Sequence, residues 1–404
     1  MDNSISLKFI VRALKYKNYR LFFIGNSVSL IGTWMQAVAA SWLIYRLTNS
    51  VFLLGVVGFT SQIPTLLISS FAGVLADRFN RRKILIITQA MAMLQALIMA
   101  ALTLTGTIQT WHIICLSIFL GLINSFDIPT RHSFVVDMIE KKEDIGNAIA
   151  LNSSLFNAAR LIGPSIAGIL IASFGEGICF FINGVSFMGV IFGLLAMDIK
   201  RPASRQRKSH VLQELKEGLI YVVGFGRIRN ILFLLALVSL AGMSHAVLMP
   251  VFARDVLGGG PHTLGFLMAA VGMGALIGTV YLASRRKVDG LEDVISPATI
   301  VFGVTILAFS FSKFLWLSLF LMVFAGFGIM VQMAASNTIL QTLTDDDKRG
   351  RVMSFYTMAF MGMAPFGSLM AGGVASRLGA PNSLVISGFL CVLGAVLFNM
   401  NRSR

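Results

Sequence analysis

Three charges stand inside stretches that otherwise carry none: Asp127, Arg131 four residues later, and Arg160 in the apolar run that follows. On a helix, i,i+4 spacing brings Asp127 and Arg131 onto one face and within ion-pair reach. Arg160 is then either a second cation for the same carboxylate or the partner of an anionic group from outside the chain. His132 adds a side chain whose proton exchanges near neutral pH. The chemistry open to this set is proton uptake at Asp127, shared with His132, and anion recognition at Arg160. The plainer alternative is a structural ion pair joining two helices. A second charged set, GVLADRFNRRK at 73–83, places one acid, Asp77, ahead of Arg78, Arg81, Arg82 and Lys83. Gly73 lies one turn before Asp77 and suits close helix approach. Asp77 suits the positive end of a neighbouring helix.

The elements that must position these groups are membrane helices. The chain has 404 residues, 56% hydrophobic and 13% charged, with a mean hydropathy of +0.80, whereas soluble domains carry about 25% charged residues. Apolar runs begin near residues 21, 51, 84, 112, 146, 178, 231, 264, 294, 314, 352 and 383, each long enough for a span of about 20 residues. The fold class expected is an all-α membrane protein with twelve transmembrane helices. Of the 33 Lys and Arg, only Arg46, Arg254, Lys313 and Arg377 fall in loops on one side. Arg131 and Arg160 lie inside spans, and all the others fall on the opposite side. That asymmetry puts both termini in the cytoplasm. The formal charge of +15 therefore reports topology, and no nucleic-acid partner is expected. The N-terminus lacks the pattern of a cleavable signal.

Cys115, Cys179 and Cys391 sit apart in apolar stretches and read as small core side chains. The histidines, His112, His132, His210, His245 and His262, are too scattered for a zinc motif, and no phosphate-cradling loop with a lysine is present. No metal, no cofactor and no catalytic activity are expected.

The longest polar connection divides the chain into an N-terminal half, 1–197, a basic linker, 198–230, and a C-terminal half, 231–404. The linker contains VLQELKEGLIYVV, an amphipathic stretch suited to a short helix on the membrane surface. Four segments of the first half recur in order in the second: SLIGTWM as SLAGMSH, LLGVVGF as TLGFLMA, NRRK as SRRK and IGPSIAG as MAPFGSL. Two related six-span halves are the architecture of parallel-repeat transporters. In ARLIGPSIAG, 159–168, Gly163, Pro164 and Gly168 predict a bent, closely packed helix, and Pro365 holds the related place in the second half.

GVLADRFNRRK resembles the loop signature of the major facilitator superfamily, with Asn80 where glycine is usual. ARLIGPSIAG resembles the antiporter motif of that superfamily's exporters, with Ala159 and Ala167 replacing two glycines. FDIPTRHSFVVDM at 126–138, the NAIALNSSLFNAARLIGP run and DDDKRGRVMSF at 345–355 resemble the bacterial branch of enterobactin exporters and macrolide efflux proteins. The resemblance implies the major facilitator fold in the bacterial inner membrane and a cytoplasmic gate formed by Gly73, Asp77, Arg78 and Arg81. The chain departs from the superfamily's proton-coupled drug exporters in the fourth span, where LSIFLGLIN at 116–124 stands in place of their arginine motif.

The function this implies is a secondary exporter working by alternating access, in contact with membrane lipids, as a monomer, and proton-coupled, with Asp127 as the expected proton carrier. Its small-molecule substrate would be siderophore-like or hydrophobic and drug-like. A lipid-like substrate, or a non-transporting sensor or assembly protein of the same fold, is the alternative. Polar side chains expected to face the substrate cavity are Gln36, Asn124, Asn157, Arg160, His245, Gln332 and Asn337, although helix-to-helix hydrogen bonds would use the same residue types.

Overall fold

A computed structural model describes the backbone of residues 11–198, 211–242, 244–285, 290–345 and 348–402, without the side chains of residues 70, 74, 76–78, 211–216 and 402. Hydrocarbon offers the backbone no hydrogen-bond partners, so each apolar run must close its own bonds as a helix. Twelve helical stretches among the described residues are long and apolar enough to cross a membrane. In the first half they are α1 (Lys17–Thr48), α2 (Val51–Arg78), α3 (Arg81–Leu104), α4 (Thr110–Asp137), α5 (Lys142–Phe174) and α6 (Glu176–Leu195). A short 3-10 turn, Arg12–Lys15, precedes α1.

The linker carries α7 (Val211–Gly224) where the amphipathic stretch stands; residues 199–210 lie outside the described chain. Rather than lying free, α7 is tied by an ion pair from Glu217 to Arg351 at 2.8 Å. The seventh span comprises α8 (Gly226–Gly242) and α9 (Ser244–Val251), on either side of residue 243, which lies outside the described chain, and a π turn, Phe252–Val256. Then come α10 (Pro261–Ser284), α11 (Glu292–Phe311) and α12 (Leu315–Leu343). The eleventh span is composite, α13 (Arg349–Met361) and α14 (Met363–Leu378), before α15 (Ala380–Arg402). Pro365 falls in the first turn of α14, where its missing N–H breaks no helical bond. It marks a helix start, whereas Pro164 lies inside a continuous α5.

The residues group into two compact units, Met1–Ala40 with Pro64–Gln206, and Ser41–Ile63 with Arg207–Arg404. The boundary expected from the linker thus gains an exception: the tip of the α1–α2 hairpin packs with the second unit. Glycines make that packing possible, since a Cβ on Gly55 would lie 2.7 Å from the Ser368 carbonyl oxygen. Polar groups reinforce it. Tyr45 donates to Asp255, and Arg254 donates to Asn49 at 2.7 Å.

The same helix pairing recurs inside each unit, with the third span on the sixth. In the first, Gly184 of α6 lets Leu97 of α3 sit within 2.7 Å of its Cβ position. In the second, Gly388 of α15 meets the Gly303 carbonyl of α11, 2.7 Å from its Cβ position. The tightest approach is between α10 and α12. A Cβ on Gly274 would lie 1.8 Å from the Val323 oxygen, and one on Gly326 would lie 2.0 Å from the Val271 oxygen.

Gly274→Ala and Gly326→Ala should each lower the thermal unfolding midpoint in detergent, by the about 1–3 kcal/mol typical of overpacking. Gly146→Ala, where nothing lies within 4 Å, should not. Equal midpoints for all three would contradict the α10–α12 contact.

Candidate functional site

The first unit concentrates the polar chemistry. On α4, Asp127 is 5% exposed, and both of its oxygens are fully used. Oδ1 accepts from Thr88 Oγ1 at 2.8 Å and Gln89 Nε2 at 2.7 Å, both on α3. Oδ2 accepts from Arg131 Nε at 3.0 Å and Nη2 at 2.6 Å. Arg131 also donates to Asn26 on α1. Three helices therefore converge on one carboxylate. Burial of a charge is tolerable only when it is paired and hydrogen-bonded in this way. Asp127 lies ten residues before the end of α4, about 15 Å along the axis, so the knot is nearer the middle of the helix than its end.

The other two members of the expected set are elsewhere. Arg160 does not compete for Asp127; its guanidinium lies 5.8 Å from the Trp34 ring of α1. His132 is exposed on α4 and, among the described residues, makes no hydrogen bond to Asp127. The physical reason is rotation: five residues on, a helical side chain points some 140° away from its starting face.

The polar residues expected in a cavity divide between roles. Gln36 belongs to a helix-to-helix network. Its Nε2 donates to Gln95 at 2.9 Å, and its Oε1 accepts from Asn183 at 2.7 Å. Asn157 donates to the Ser153 carbonyl at 2.9 Å. His245 is 4% exposed and its Nδ1 contacts the Gly242 carbonyl. Asn124 is half-buried on α4, and Asn337 accepts from Gln341 on α12. Gln332 and Ser336, one turn apart on α12, are buried with no hydrogen-bond partner among the described residues.

The charged stretch at 73–83 resolves in part. The side chains of Asp77 and Arg78 lie outside the described residues. Among the described residues nothing lies within 4 Å of the Gly73 Cβ position. Asn80, the departure from the superfamily pattern, caps α3 by accepting from the Lys83 N–H at 3.2 Å. Arg81 pairs with Asp137 at the end of α4 through both carboxylate oxygens, at 3.0 and 2.9 Å. Arg82 donates to the Leu194 and Leu195 carbonyls at 2.6 and 2.7 Å. It thereby satisfies the exposed end of α6, where a cation is favoured. The two arginines thus tie the start of α3 to the ends of α4 and α6.

Sequence reasoning missed a further cluster at the start of the chain. Asp144, in the first turn of α5, takes Arg12 at 2.8 Å, Lys15 at 2.7 Å and the Tyr16 hydroxyl at 2.7 Å. Asn147 accepts from the Ala13 N–H at 2.9 Å. The hydrogen bond to Asp144 raises the Lys15 ammonium above its ordinary value, so the pair persists through neutral pH and is lost only as pH climbs past that value. An acid at a helix start was the one signal available.

A family model described as transmembrane secretion effector matches residues 11–404. The chain belongs to that family. It is thus a multi-pass transporter of the major facilitator superfamily in the bacterial inner membrane, and not an enzyme. It is 25% identical to the staphyloferrin A transporter of Staphylococcus aureus over 387 residues, covering 94% of this chain and 95% of that protein. It is 24% identical to the multidrug efflux pump Tap of Mycolicibacterium fortuitum over 390 residues, covering 92% and 93%. Among solved structures, a bacterial homologue of the human lysosomal transporter Spinster matches with a TM-score of 0.77. That match has 13% identity and covers 96% of this chain and 97% of the other. A bacterial homologue of the iron transporter ferroportin matches at 0.72, with 16% identity over 96% and 99%. These two likenesses show a shared fold.

In the antiporter-like stretch, a Cβ on Gly163 would lie 2.6 Å from Trp34 Cβ and 3.0 Å from the Ile31 oxygen. Gly163→Leu should push α5 off α1, lowering both the unfolding midpoint and transport. Ala167→Gly, which removes only one buried methyl, should leave transport near wild type. Equal tolerance in a vesicle flux assay would remove the packing role of Gly163.

Proposed function

We propose that this transporter exports a siderophore-like or drug-like small molecule from the cytoplasm by alternating access, driven by the proton gradient. In this reading 1–197 and 231–404 are the two moving halves, 198–230 is the cytoplasmic linker, and the chain works as a monomer with both termini inside. Gly73, Asp77, Arg78 and Arg81 form the cytoplasmic gate, with Arg81 anchored on Asp137. The similarity to a staphyloferrin A transporter and to a multidrug efflux pump supports the substrate range, and the efflux pump supports the outward direction.

The observation that carries the reading is the Asp127 knot. It is a carboxylate inside an apolar bundle, held by donors from α3 and α4 and linked through Arg131 to α1. A proton on Asp127 removes the charge that holds Arg131. Arg131, released within α4, then re-sets its contact with Asn26 on α1, so protonation is exchanged for a change in helix packing. Transport and proton movement are coupled wherever that exchange accompanies the switch of access.

Inverted membrane vesicles energised to an acid interior test this reading. Wild type should accumulate ethidium or staphyloferrin A, and a protonophore should abolish the accumulation. Asp127→Asn, checked for a normal elution profile, should lose the pH dependence and at least about 90% of the gradient-driven uptake while retaining slow downhill flux. No gradient-dependent flux of either compound by wild type sinks the exporter reading. Unchanged pH dependence in Asp127→Asn leaves the knot a purely structural joint.

A further inference from the structure

Arg160 is the intramembrane charge that the Asp127 knot leaves out. It stands 18 residues after Lys142 and 14 before Phe174 on α5, about 27 Å and about 21 Å along the axis. It therefore stands near the middle of the helix. Among the described residues it has no ion-pair and no hydrogen-bond partner; its one recorded neighbour is the Trp34 ring, 5.8 Å from the guanidinium carbon.

The helix face shows which way Arg160 looks. Ser153, Asn157, Arg160 and Pro164 follow i, i+4, i+7, i+11 spacing and form one stripe. Half a turn away, Ile162, Ile166 and Ile169 are exposed and apolar, the face expected to meet lipid. The polar stripe is opposite: Asn157 and Pro164 are buried, Arg160 is half-buried and Ser153 is exposed. Pro164 adds to the polarity of that stripe. It has no N–H to return to the Arg160 carbonyl, so an acceptor as well as a guanidinium is left open at this level.

Trp34 is itself fixed. Phe156 packs edge-on against it at 5.7 Å, and Gly163 admits its Cβ where any side chain would clash. The result is a guanidinium over a braced indole, with its donor fork unused. Planar donors in that arrangement match a carboxylate bidentately, and the indole offers a flat apolar wall beside it.

We propose that Arg160, braced by Trp34, holds a carboxylate of the exported molecule, so that organic acids are the preferred substrates. This rests on the transport reading above and narrows it to a chemical class. The guanidinium donates two N–H bonds to the carboxylate, the indole covers the adjoining apolar part, and the open carbonyl at Arg160 takes a neighbouring hydroxyl or amide donor.

The test uses a matched pair, 2-naphthoate and its uncharged amide 2-naphthamide, titrated calorimetrically into the full chain in uncharged detergent. Wild type should bind the acid at least tenfold tighter than the amide. Arg160→Gln should bring the two within a factor of two, while Arg160→Lys, which keeps charge without the fork, should retain part of the preference. Elution and unfolding profiles establish that the variants are folded, and the wild-type ratio is decisive by itself where a variant is not.

Equal affinities in wild type, no binding of the acid, or an unchanged ratio in Arg160→Gln each overturn the proposal. Repeating the titration in phosphatidylcholine nanodiscs with and without phosphatidylglycerol separates solute from lipid. Loss of acid binding with the anionic lipid would assign the site to a headgroup and overturn it. Flux of ethidium without any acid preference would leave export standing and remove this site. Acid preference without gradient-driven flux would do the reverse.

Discussion

Hydrocarbon returns no hydrogen bonds, and this one property organises the molecule. A polar side chain inside a span must find its partners among neighbouring helices or keep the free-energy cost of burial. Asp127 meets that demand in full, with donors on both oxygens from α3 and α4. Gln36, Gln95 and Asn183 meet it as a chain across α1, α3 and α6. Even Arg82 acts under the same constraint, closing the carbonyls that α6 leaves open at its end. The polar residues of the first unit are thus also its joints.

Glycine supplies the complementary device. Where no polar pair holds two helices, their backbones come close enough for dispersion to do so, as at Gly274 and Gly326 between α10 and α12. The two units weight these means differently. The first is tied by side-chain hydrogen bonds around Asp127 and Gln36. The tightest joint of the second is made of backbone against backbone. A membrane protein has no hydrophobic force between its helices, so these are the two means available.

The fold was legible because its signals are collective. Twelve long apolar runs, a one-sided distribution of arginine and lysine, and an ordered set of repeated segments each average over many residues. The Asp127–Arg131 pair was legible too, since i,i+4 geometry is local. What escaped the sequence is non-local. Nothing in the neighbourhood of Arg160 says that Trp34, on another helix, lies beside it. Thr88 and Gln89 stand together in an apolar run, yet only packing shows that both turn toward Asp127. His132 was misplaced for a related reason: adjacency in sequence to Arg131 is a third of a turn in space. That Arg81 reaches Asp137 and Arg82 the end of α6 is likewise a product of helix packing, invisible in the run GVLADRFNRRK.

The anchoring of the chain's beginning on Asp144 also bears on how the protein is made. Tyr16 and its carboxylate are 128 residues apart in sequence, so the contact cannot form until the start of the fifth span has been synthesised. At about 5–20 residues per second, the N-terminal segment waits on the order of ten seconds with Arg12 and Lys15 unneutralised. During that interval the two cations are available to hold the first span in its orientation, the role that positive flanks play in insertion. Their later capture by Asp144 turns a temporary topological signal into a permanent structural tie. One pair of side chains thus serves biogenesis first and architecture afterwards.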